Sequence, residues 1–406
     1  MEQDKIIYDW NLEGDRHSPP MRRVEFFDET LRDGIQCPSV SDPPIEKKMK
    51  ILRLLDKIGV DAADISLPGA GAHAVEHCRI LVEMIRDEGL NIRAAAAART
   101  HPNDIRPIID IAEKTGVPIE VYAFLGSSPI RLFTEGWDED KLEKLTRDAA
   151  QMTRKAGLPF AFVTEDTVRS HPSTLNRLFR AAIEEGATRL CVCDTVGHST
   201  PNGVFNIIHF TKNLIRTMNT DTKVDWHGHS DRGFGLVNAL YAIEAGADRV
   251  HGTILGIGER VGNTPLDLLL MNLKLLNVID TDLSALSDLV KVVAEATDWD
   301  IPVSYPVFGR DAFRTGTGVH ASAVIKALKK GDMMLADQIY SGVPASWFGR
   351  KQEIEVGPMS GNSNIIFWLQ QHNMEATEAR IHLIRTAAKA TNRVLSEAEL
   401  LTIVSS

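Results

Sequence analysis

The stretch KVDWHGHSDRGFGLVNALYAIEAGADRVHGT (223–253) decides the fold. It contains two short apolar runs, KVDWHG (223–228) and RVHGT (249–253), separated by a segment whose apolar residues recur at helical spacing and end at glycine. A strand, a helix and a second strand of these lengths form a βαβ unit, in which the two strands are parallel. Because the runs are apolar nearly throughout, both faces of each strand are expected to be buried.

The same pattern extends back to the beginning of the chain. Six further runs precede the unit: VEFFD (24–28), AADISL (62–67), IRAAAA (92–97), PIEVYAF (118–124), PFAFVT (159–164) and RLCVC (189–193). Amphipathic segments such as IEKKMKILRLLDKIG (45–59) separate them. Eight strand–helix units in roughly 255 residues match the size of a (β/α)₈ TIM barrel. An open, doubly wound sheet is the alternative, because periodicity does not show whether the eighth strand pairs with the first.

The barrel pattern stops near Val278, and mainly helical segments follow. They include DLSALSDLVKVVAEATDWD (282–300), ASAVIKALKKGD (321–332) and EARIHLIRTAAKATNRVL (378–395). Ser396 and Glu399 have the spacing of a capping box. We therefore predict an N-terminal extension over 1–21, a catalytic barrel over 22–280, a linker with helical subdomain I over 281–342, and subdomain II over 343–406.

Composition limits the class of partner. The 406 residues include 45 Lys and Arg against 55 Asp and Glu, a net charge of −10, which argues against nucleic acid or an anionic membrane as the main partner. No apolar run reaches the roughly 18 residues that span a bilayer, and the acidic N-terminus does not resemble a signal peptide. Four cysteines without a CxxC pair suit a reducing compartment. We expect a cytoplasmic enzyme that acts on small molecules.

Ligand-type residues cluster where the predicted strands end. In a barrel, reacting groups come from the carboxyl ends of the strands and the loops that follow. The first run leads into DETLRDGIQ (28–36), whose rim residues are Asp28, Glu29, Arg32, Asp33 and Gln36. The seventh run ends in HGH, and a spacing of two places His227 and His229 on one face of the strand. Two imidazoles with a carboxylate suit a divalent cation, whereas an isolated pair of this kind is more often two buried core histidines.

The loop after the eighth run, GTILGIGERVGN (252–263), does not have the dinucleotide-binding spacing. Val261 stands where the third glycine of G-x-G-x-x-G would be. The loop instead presents Asn263, whose amide oxygen is able to reach a metal directly or through water. The fifth and sixth runs add Glu165 and Thr195 to the same rim, although such residues are also favoured as helix N-caps.

These segments carry a family resemblance. DETLRDGIQ, FVTEDTVRS (162–170), CDTVGHSTP (193–201), the 227–253 stretch and GIGERVGNTPLDLL (256–269) resemble the DRE-TIM metallolyase superfamily. Beyond the barrel, TGTGVHASAVIK (315–326) and IYSGVPASWFGRKQEIEVGPMSG (339–361) are similar to its Claisen-condensing branch, the 2-isopropylmalate and homocitrate synthases. The aldol-cleaving lyases of the superfamily lack this extension.

The resemblance implies a role for each matching residue. The implied metal ligands are Asp33, His227 and His229, with Asn263 as a weaker fourth. The implied catalytic residues are Arg32, held in place by Glu165, with His320 and Tyr340 for base and acid work. The implied substrate contacts are Gln36, Tyr122 and Thr195, the last with the carboxylate of a 2-oxoacid. In this branch His320 and Tyr340 reach the neighbouring subunit's site, which implies a homodimer.

The implied reaction is a metal-dependent Claisen condensation of acetyl-CoA with a 2-oxoacid, followed by thioester hydrolysis. The favoured acceptor is 2-oxoisovalerate, which gives 2-isopropylmalate for leucine biosynthesis. The alternative acceptors are 2-oxoglutarate, as in a homocitrate synthase, and pyruvate, as in a citramalate synthase. The alternative functions are an aldol-cleaving lyase and a non-catalytic barrel that keeps the site.

The identity of the metal stays open in the sequence. Carboxylate, imidazole and amide ligands accept magnesium, manganese, cobalt or zinc alike. Because only about 45 residues follow Gly361, we also expect no leucine inhibition through a C-terminal regulatory domain.

Overall fold

The structure is a computed structural model that describes residues 7–12 and 23–405. Eight parallel strands form a closed barrel in sequence order, and the first strand pairs with the eighth, with Phe27 opposite His251. Closure confirms the predicted TIM barrel and excludes the open sheet. The strands are β1 (Glu25–Asp28), β2 (Ala62–Asp64), β3 (Arg93–Arg99), β4 (Glu120–Gly126), β5 (Phe160–Glu165), β6 (Arg189–Asp194), β7 (Lys223–Gly228) and β8 (Arg249–Gly252).

Helices alternate with the strands around the barrel. They are α1 (Ile45–Lys57), α2 (Ala72–Glu88), α3 (Pro102–Thr115), α4 (Pro129–Glu135), α5 (Glu139–Lys155), α6 (Pro172–Glu184), α7 (Pro201–Met218), α8 (Gly235–Ala245) and α9 (Leu266–Leu275). Later helices are α10 (Leu286–Thr297), α11 (Gly318–Lys329), α12 (Met333–Gln338), α13 (Asn362–Gln371), α14 (Glu378–Ala390) and α15 (Glu397–Ser405). None of the helices in the described ranges is long and apolar enough to cross a membrane.

Local sequence explains where these helices begin and end. In α7, Thr200 accepts a hydrogen bond from the Gly203 amide through its side chain, and Pro201 occupies the first turn, where a missing N–H has no cost. Asn219 ends the helix in the left-handed conformation, which asparagine tolerates. The turn between β6 and α7 is therefore short, and Thr195, which follows β6, stays at the barrel rim.

Charged side chains, rather than apolar ones, fill the amino-terminal end of the barrel. Glu25 accepts hydrogen bonds from Arg189 (2.6 Å) and Arg249 (2.7 Å), and Arg249 also donates to Glu120 at 2.7 Å. Asp225 accepts from Arg189 at 2.8 Å. Every one of these buried charges has a partner of the opposite sign. The network therefore closes the amino-terminal end of the barrel, and the ligand-type residues lie at the other end.

We predict that Arg249→Met lowers the free energy of unfolding by about 3–5 kcal/mol, because it leaves Arg189 as the one buried arginine that faces the three carboxylates of Glu25, Glu120 and Asp225. Arg249 is only 1% exposed. The matched control is Arg53→Met, which removes an exposed pair with Glu88 and is expected to cost under about 1 kcal/mol. Denaturant unfolding of both variants measures the difference, and equal losses would show that the buried network adds no stability.

The chain divides into two compact units. The first contains the barrel up to Asp282 together with Asp288–Trp299, and the second contains Leu283–Ser287 and the chain from Asp300 onward. In the second unit, α13, α14 and α15 pack around a core that includes Trp368, Leu369 and Ile384. Ser396 and Glu399 exchange the two hydrogen bonds of a capping box, as predicted. The further division at 342/343 stays a prediction, and the predicted 1–21 extension lies largely outside the described residues.

Candidate active site

A cavity of about 220 Å³ opens at the carboxyl ends of the barrel strands. It brings together residues that are far apart in the chain and that the sequence assigns to the site. These residues are Arg32, Asp33, Gln36, Tyr122, Glu165, Thr195, His227 and His229. Asn263 is a bridge partner of His229 in the backbone, which places it beside the same cluster.

Asp33, His227 and His229 form a cluster with the geometry of a metal site. One donor atom of each lies within 4.8 Å of the others, and Asp33 Oδ2 is 3.9 Å from His227 Nε2 and 3.6 Å from His229 Nε2. Asp33 Oδ2 and Asn263 Oδ1 are both buried, without a hydrogen-bond partner among the described residues. Since buried polar atoms are normally satisfied, two orphaned oxygens beside two imidazoles fit a divalent cation.

Glu29 orients the first of these histidines. Its Oε2 lies 2.7 Å from His227 Nδ1, and its Oε1 lies 3.2 Å from His251 Nδ1. When the carboxylate holds the proton on Nδ1 of neutral His227, the lone pair lies on Nε2, which faces Asp33 and is the atom that would bind a metal. The sequence places Glu29 at the rim but gives it no role, and His251 is missed altogether. The signal for His251 is its position on β8 beside β1, which only barrel closure makes readable.

The electrostatics of the two histidines differ. Burial disfavours the charged form of His227, but the Glu29 carboxylate outweighs it and raises the pKa of His227 to about 10. Burial, together with the charge on His227, lowers the pKa of His229 to about 4. His229 is therefore a neutral imidazole with a lone pair available for a cation. Cation binding at His227 Nε2 requires that nitrogen to give up its proton.

Arg32 is fixed by three carboxylates. It donates to Asp64 at 2.7 Å, to Asp33 at 2.7 Å and to Glu29 at 3.1 Å. Asp64, at the end of the adjacent strand β2, is thus one of the residues that hold Arg32 in place, and the same role for Glu165 stays a prediction. Within residues 23–405, the Glu165 carboxylate makes no hydrogen bond or ion pair with Arg32, although both line the cavity. Burial raises the pKa of Glu165.

The predicted substrate contacts occupy different environments. Thr195 Oγ1 accepts a hydrogen bond from the Asp166 amide at 2.8 Å, which leaves the hydroxyl proton for a ligand. Gln36 is exposed at the mouth of the cavity. Tyr122 lines the cavity with its ring, but its hydroxyl donates to Asp225 at 2.6 Å and accepts from Arg249. Contact with substrate at these positions stays a prediction.

His320 and Tyr340 belong to the second unit. His320 lies on α11, Tyr340 lies after α12, and their rings stack with centroids 4.2 Å apart. His320 is exposed, and Tyr340 is 47% exposed. The two residues assigned to acid and base work thus form one accessible pair, and their roles stay predictions.

The backbone conformation of the glycine-rich loop fixes the position of Asn263. Gly262 has a φ of +91°, and a Cβ there would lie 1.9 Å from the Gly256 carbonyl oxygen, so only glycine fits. Asn263 Nδ2 donates to the Ile257 carbonyl at 3.1 Å, which fixes the side-chain amide and leaves Oδ1 buried without a hydrogen-bond partner among the described residues. The glycine-rich loop therefore serves to position an amide oxygen.

The closed parallel barrel and the aspartate–histidine cluster at its carboxyl end define a class of metal-dependent TIM-barrel enzymes. A comparison with known families then places the chain. Residues 23–293 match the family described as HMGL-like. The chain belongs to this family, whose members have the DRE-TIM fold.

Curated relatives extend the match beyond the barrel. The chain is 32% identical to a probable 2-isopropylmalate synthase of Methanopyrus kandleri, over 88% of this chain and 68% of the relative. It is 32% identical to a homocitrate synthase of Methanothermobacter thermautotrophicus, over 87% and 85% of the two chains, and 30% identical to an (R)-citramalate synthase of Methanocaldococcus jannaschii, over 94% and 74%. The chain is thus a homologue of enzymes named as synthases.

Among solved structures, the fold is similar to hydroxymethylglutaryl-CoA lyase from Pseudomonas aeruginosa. The TM-score is 0.55 at 17% identity, over 67% of this chain and 92% of that one. This likeness supports the barrel fold alone.

We predict that Glu29→Gln lowers the affinity for Mn²⁺ by about 10–100-fold, because the amide removes the charge that supports His227 as a ligand. The matched control is Glu259→Gln, since Glu259 lines the same cavity but is 58% exposed and does not contact a histidine of the cluster. Calorimetric titration of Mn²⁺ into both variants provides the comparison. Equal affinities would contradict the role of Glu29.

Proposed function

We propose that the protein catalyses condensation of acetyl-CoA with a 2-oxoacid and hydrolysis of the resulting thioester, with 2-oxoisovalerate as acceptor and 2-isopropylmalate as product. The proposal includes a divalent metal at Asp33, His227, His229 and Asn263, a homodimer, a cytoplasmic location and a role in leucine biosynthesis. Homocitrate or citramalate synthesis is the alternative, with the same chemistry on another acceptor.

The observation that carries the proposal is the extent of the match to the synthases. The three curated relatives named above match 87–94% of this chain, which includes the unit that bears His320 and Tyr340. The barrel family alone stops at residue 293. A lyase that used only the barrel cavity would have no need for the second unit, so the extent of the match favours condensation over aldol cleavage.

The barrel residues support the acceptor half of the reaction. Asp33, His227, His229 and Asn263 would hold a divalent metal, which would supply Lewis-acid polarisation of the acceptor's keto group. Arg32 is permanently charged and held rigidly by Asp64, Asp33 and Glu29, so it is preorganised to stabilise negative charge that develops on the keto oxygen. Thr195 has a free hydroxyl proton for the acceptor's carboxylate.

The donor half requires a base and an acid. In the proposal, His320 removes a proton from the acetyl methyl group, and the resulting carbon nucleophile forms a bond to the keto carbon. The keto oxygen then takes a proton, with Tyr340 as the donor. Water cleaves the thioester, which releases CoA as a free thiol and leaves a second carboxylate on the product. One acetyl-CoA, one 2-oxoacid and one water are consumed per turnover.

The cavity wall favours an apolar side chain on the acceptor. Leu67, Ala97, Phe124 and Val163 line it. Its two arginines are already assigned, Arg32 to the keto oxygen of the acceptor in this proposal and Arg260 to an ion pair with Asp231 at 2.8 Å. A second carboxylate, as in 2-oxoglutarate, would meet no uncommitted arginine in this lining. This supports 2-oxoisovalerate or pyruvate as acceptor.

Free-thiol release from acetyl-CoA tests the proposal directly. We expect release that a chelator abolishes and that is fastest with 2-oxoisovalerate among 2-oxoisovalerate, pyruvate, 2-oxoglutarate and oxaloacetate. Faster release with another acceptor would keep the mechanism and overturn the acceptor assignment. No release with any of the four would overturn the condensation itself.

We predict that Ala97→Val raises KM for 2-oxoisovalerate by about 10-fold and changes KM for pyruvate less. The added methyl groups take space that the isopropyl group of 2-oxoisovalerate needs and the methyl group of pyruvate does not. The matched control is Ala98→Val, which adds the same volume at the next position of β3, outside the cavity lining. Steady-state kinetics with both acceptors distinguishes a change in acceptor specificity from a general loss of activity. A uniform loss on both acceptors would contradict this assignment of the side-chain pocket.

We predict that His320→Gln lowers kcat by about 100-fold or more and leaves Mn²⁺ affinity unchanged, because a general base contributes to proton transfer and not to metal binding. His382→Gln, an exposed histidine of the same unit, is the control. Wild-type turnover by the His320 variant would refute its assignment as the base.

A further inference from the structure

A second group of ligand-type side chains lies outside the catalytic cluster. It consists of Asp42, in the segment before α1, with His73 and His77 on α2. The two histidines are four residues apart, which places them one turn apart on the same face of the helix. Their ring centroids are 3.9 Å apart, and one donor atom of each of the three residues lies within 4.8 Å of the others. The sequence shows the spacing of His73 and His77, but it does not show that Asp42, about 30 residues away, lies beside them.

Two ligand-type atoms of this group are available to bind an ion. His77 Nδ1 is buried without a hydrogen-bond partner among the described residues. Asp42 gives Oδ1 to Lys48 at 2.5 Å, while its Oδ2 faces His73 Nδ1 at 3.9 Å. The group therefore combines an unpartnered, buried nitrogen of His77 with a carboxylate oxygen that lies 3.9 Å from a nitrogen of His73. A buried polar atom without a partner is unusual, and a bound ion would satisfy it.

The surrounding charge is compatible with a cation. Lys48 and Glu46 both face His77 from α1, so the ammonium charge is offset by the carboxylates of Glu46 and Asp42. Burial and the nearby Lys48 charge lower the pKa of His77. At neutral pH this imidazole is unprotonated and able to act as a ligand.

We propose that Asp42, His73 and His77 form a second divalent-cation site, selective for a borderline transition metal such as Zn²⁺. Two imidazoles and one carboxylate are the protein ligand set of three-ligand zinc sites, with water as the fourth. The site lies in a separate cavity of about 520 Å³, which shares Arg32, Gln36 and Leu67 with the catalytic cavity. An ion there would tie α2 to the chain segment that follows Arg32 and Asp33, and so restrain the loop that carries them.

Metal stoichiometry tests this site without reference to activity. Equilibrium dialysis against Zn²⁺ with elemental analysis is expected to give two ions per wild-type chain. His73→Gln/His77→Gln is expected to give one, His227→Gln/His229→Gln also one, and the quadruple variant none. When Asp42→Asn is added to the His227/His229 variant, we expect the affinity for the remaining Zn²⁺ ion to fall by at least about tenfold.

The control is His209→Gln/His382→Gln, which removes two exposed imidazoles elsewhere and is expected to retain both ions. Circular dichroism confirms that each variant is folded before dialysis. The same number of bound ions in the wild type and in the folded His73/His77 variant would overturn the proposal. Because the readout is bound metal, either result is independent of whether the chain condenses acetyl-CoA with a 2-oxoacid.

Discussion

The contact between Glu29 and His227 depends on barrel closure, and the functional site depends on that contact. The two residues are 198 positions apart in the chain, yet their side chains meet at 2.7 Å. They meet because β1, which Glu29 follows, pairs with β8, and β8 pairs with β7, which carries His227. The same closure brings Asp33 to His227 and His229. Any change that opens the seam between β1 and β8 would separate the carboxylate half of the site from the imidazole half.

The two ends of the barrel use charge in opposite ways. At the amino-terminal end, the arginines and carboxylates pair with one another, so no ligand is needed there. At the carboxyl-terminal end, Asp33 Oδ2 and Asn263 Oδ1 are buried and unpartnered. Buried polar atoms left without partners lower stability, and they persist where a bound ligand completes them. This contrast identifies which end of the barrel is functional without reference to any relative.

The sequence predicts the fold well because its signals are local. Each of the eight apolar runs becomes a strand, since four to seven buried residues bounded by turn residues suit a parallel sheet. The pair His227 and His229 is readable from a spacing of two on a strand, and the capping box at Ser396 from a spacing of three. Closure is not readable in this way, because pairing of β1 with β8 leaves no periodic trace. For the same reason His251 was missed. The contact of Arg32 with Asp64 and the Asp42 group were missed for another reason, because each joins residues about 30 positions apart in the chain and leaves no local pattern.

The most direct measurement is anomalous diffraction from crystals grown with Mn²⁺ and 2-oxoisovalerate. We expect an anomalous peak between Asp33, His227 and His229, next to Asn263 Oδ1, with the keto acid beside Arg32. A folded crystal with saturating Mn²⁺ and no peak at these residues would contradict the central claim that barrel closure builds a metal centre there.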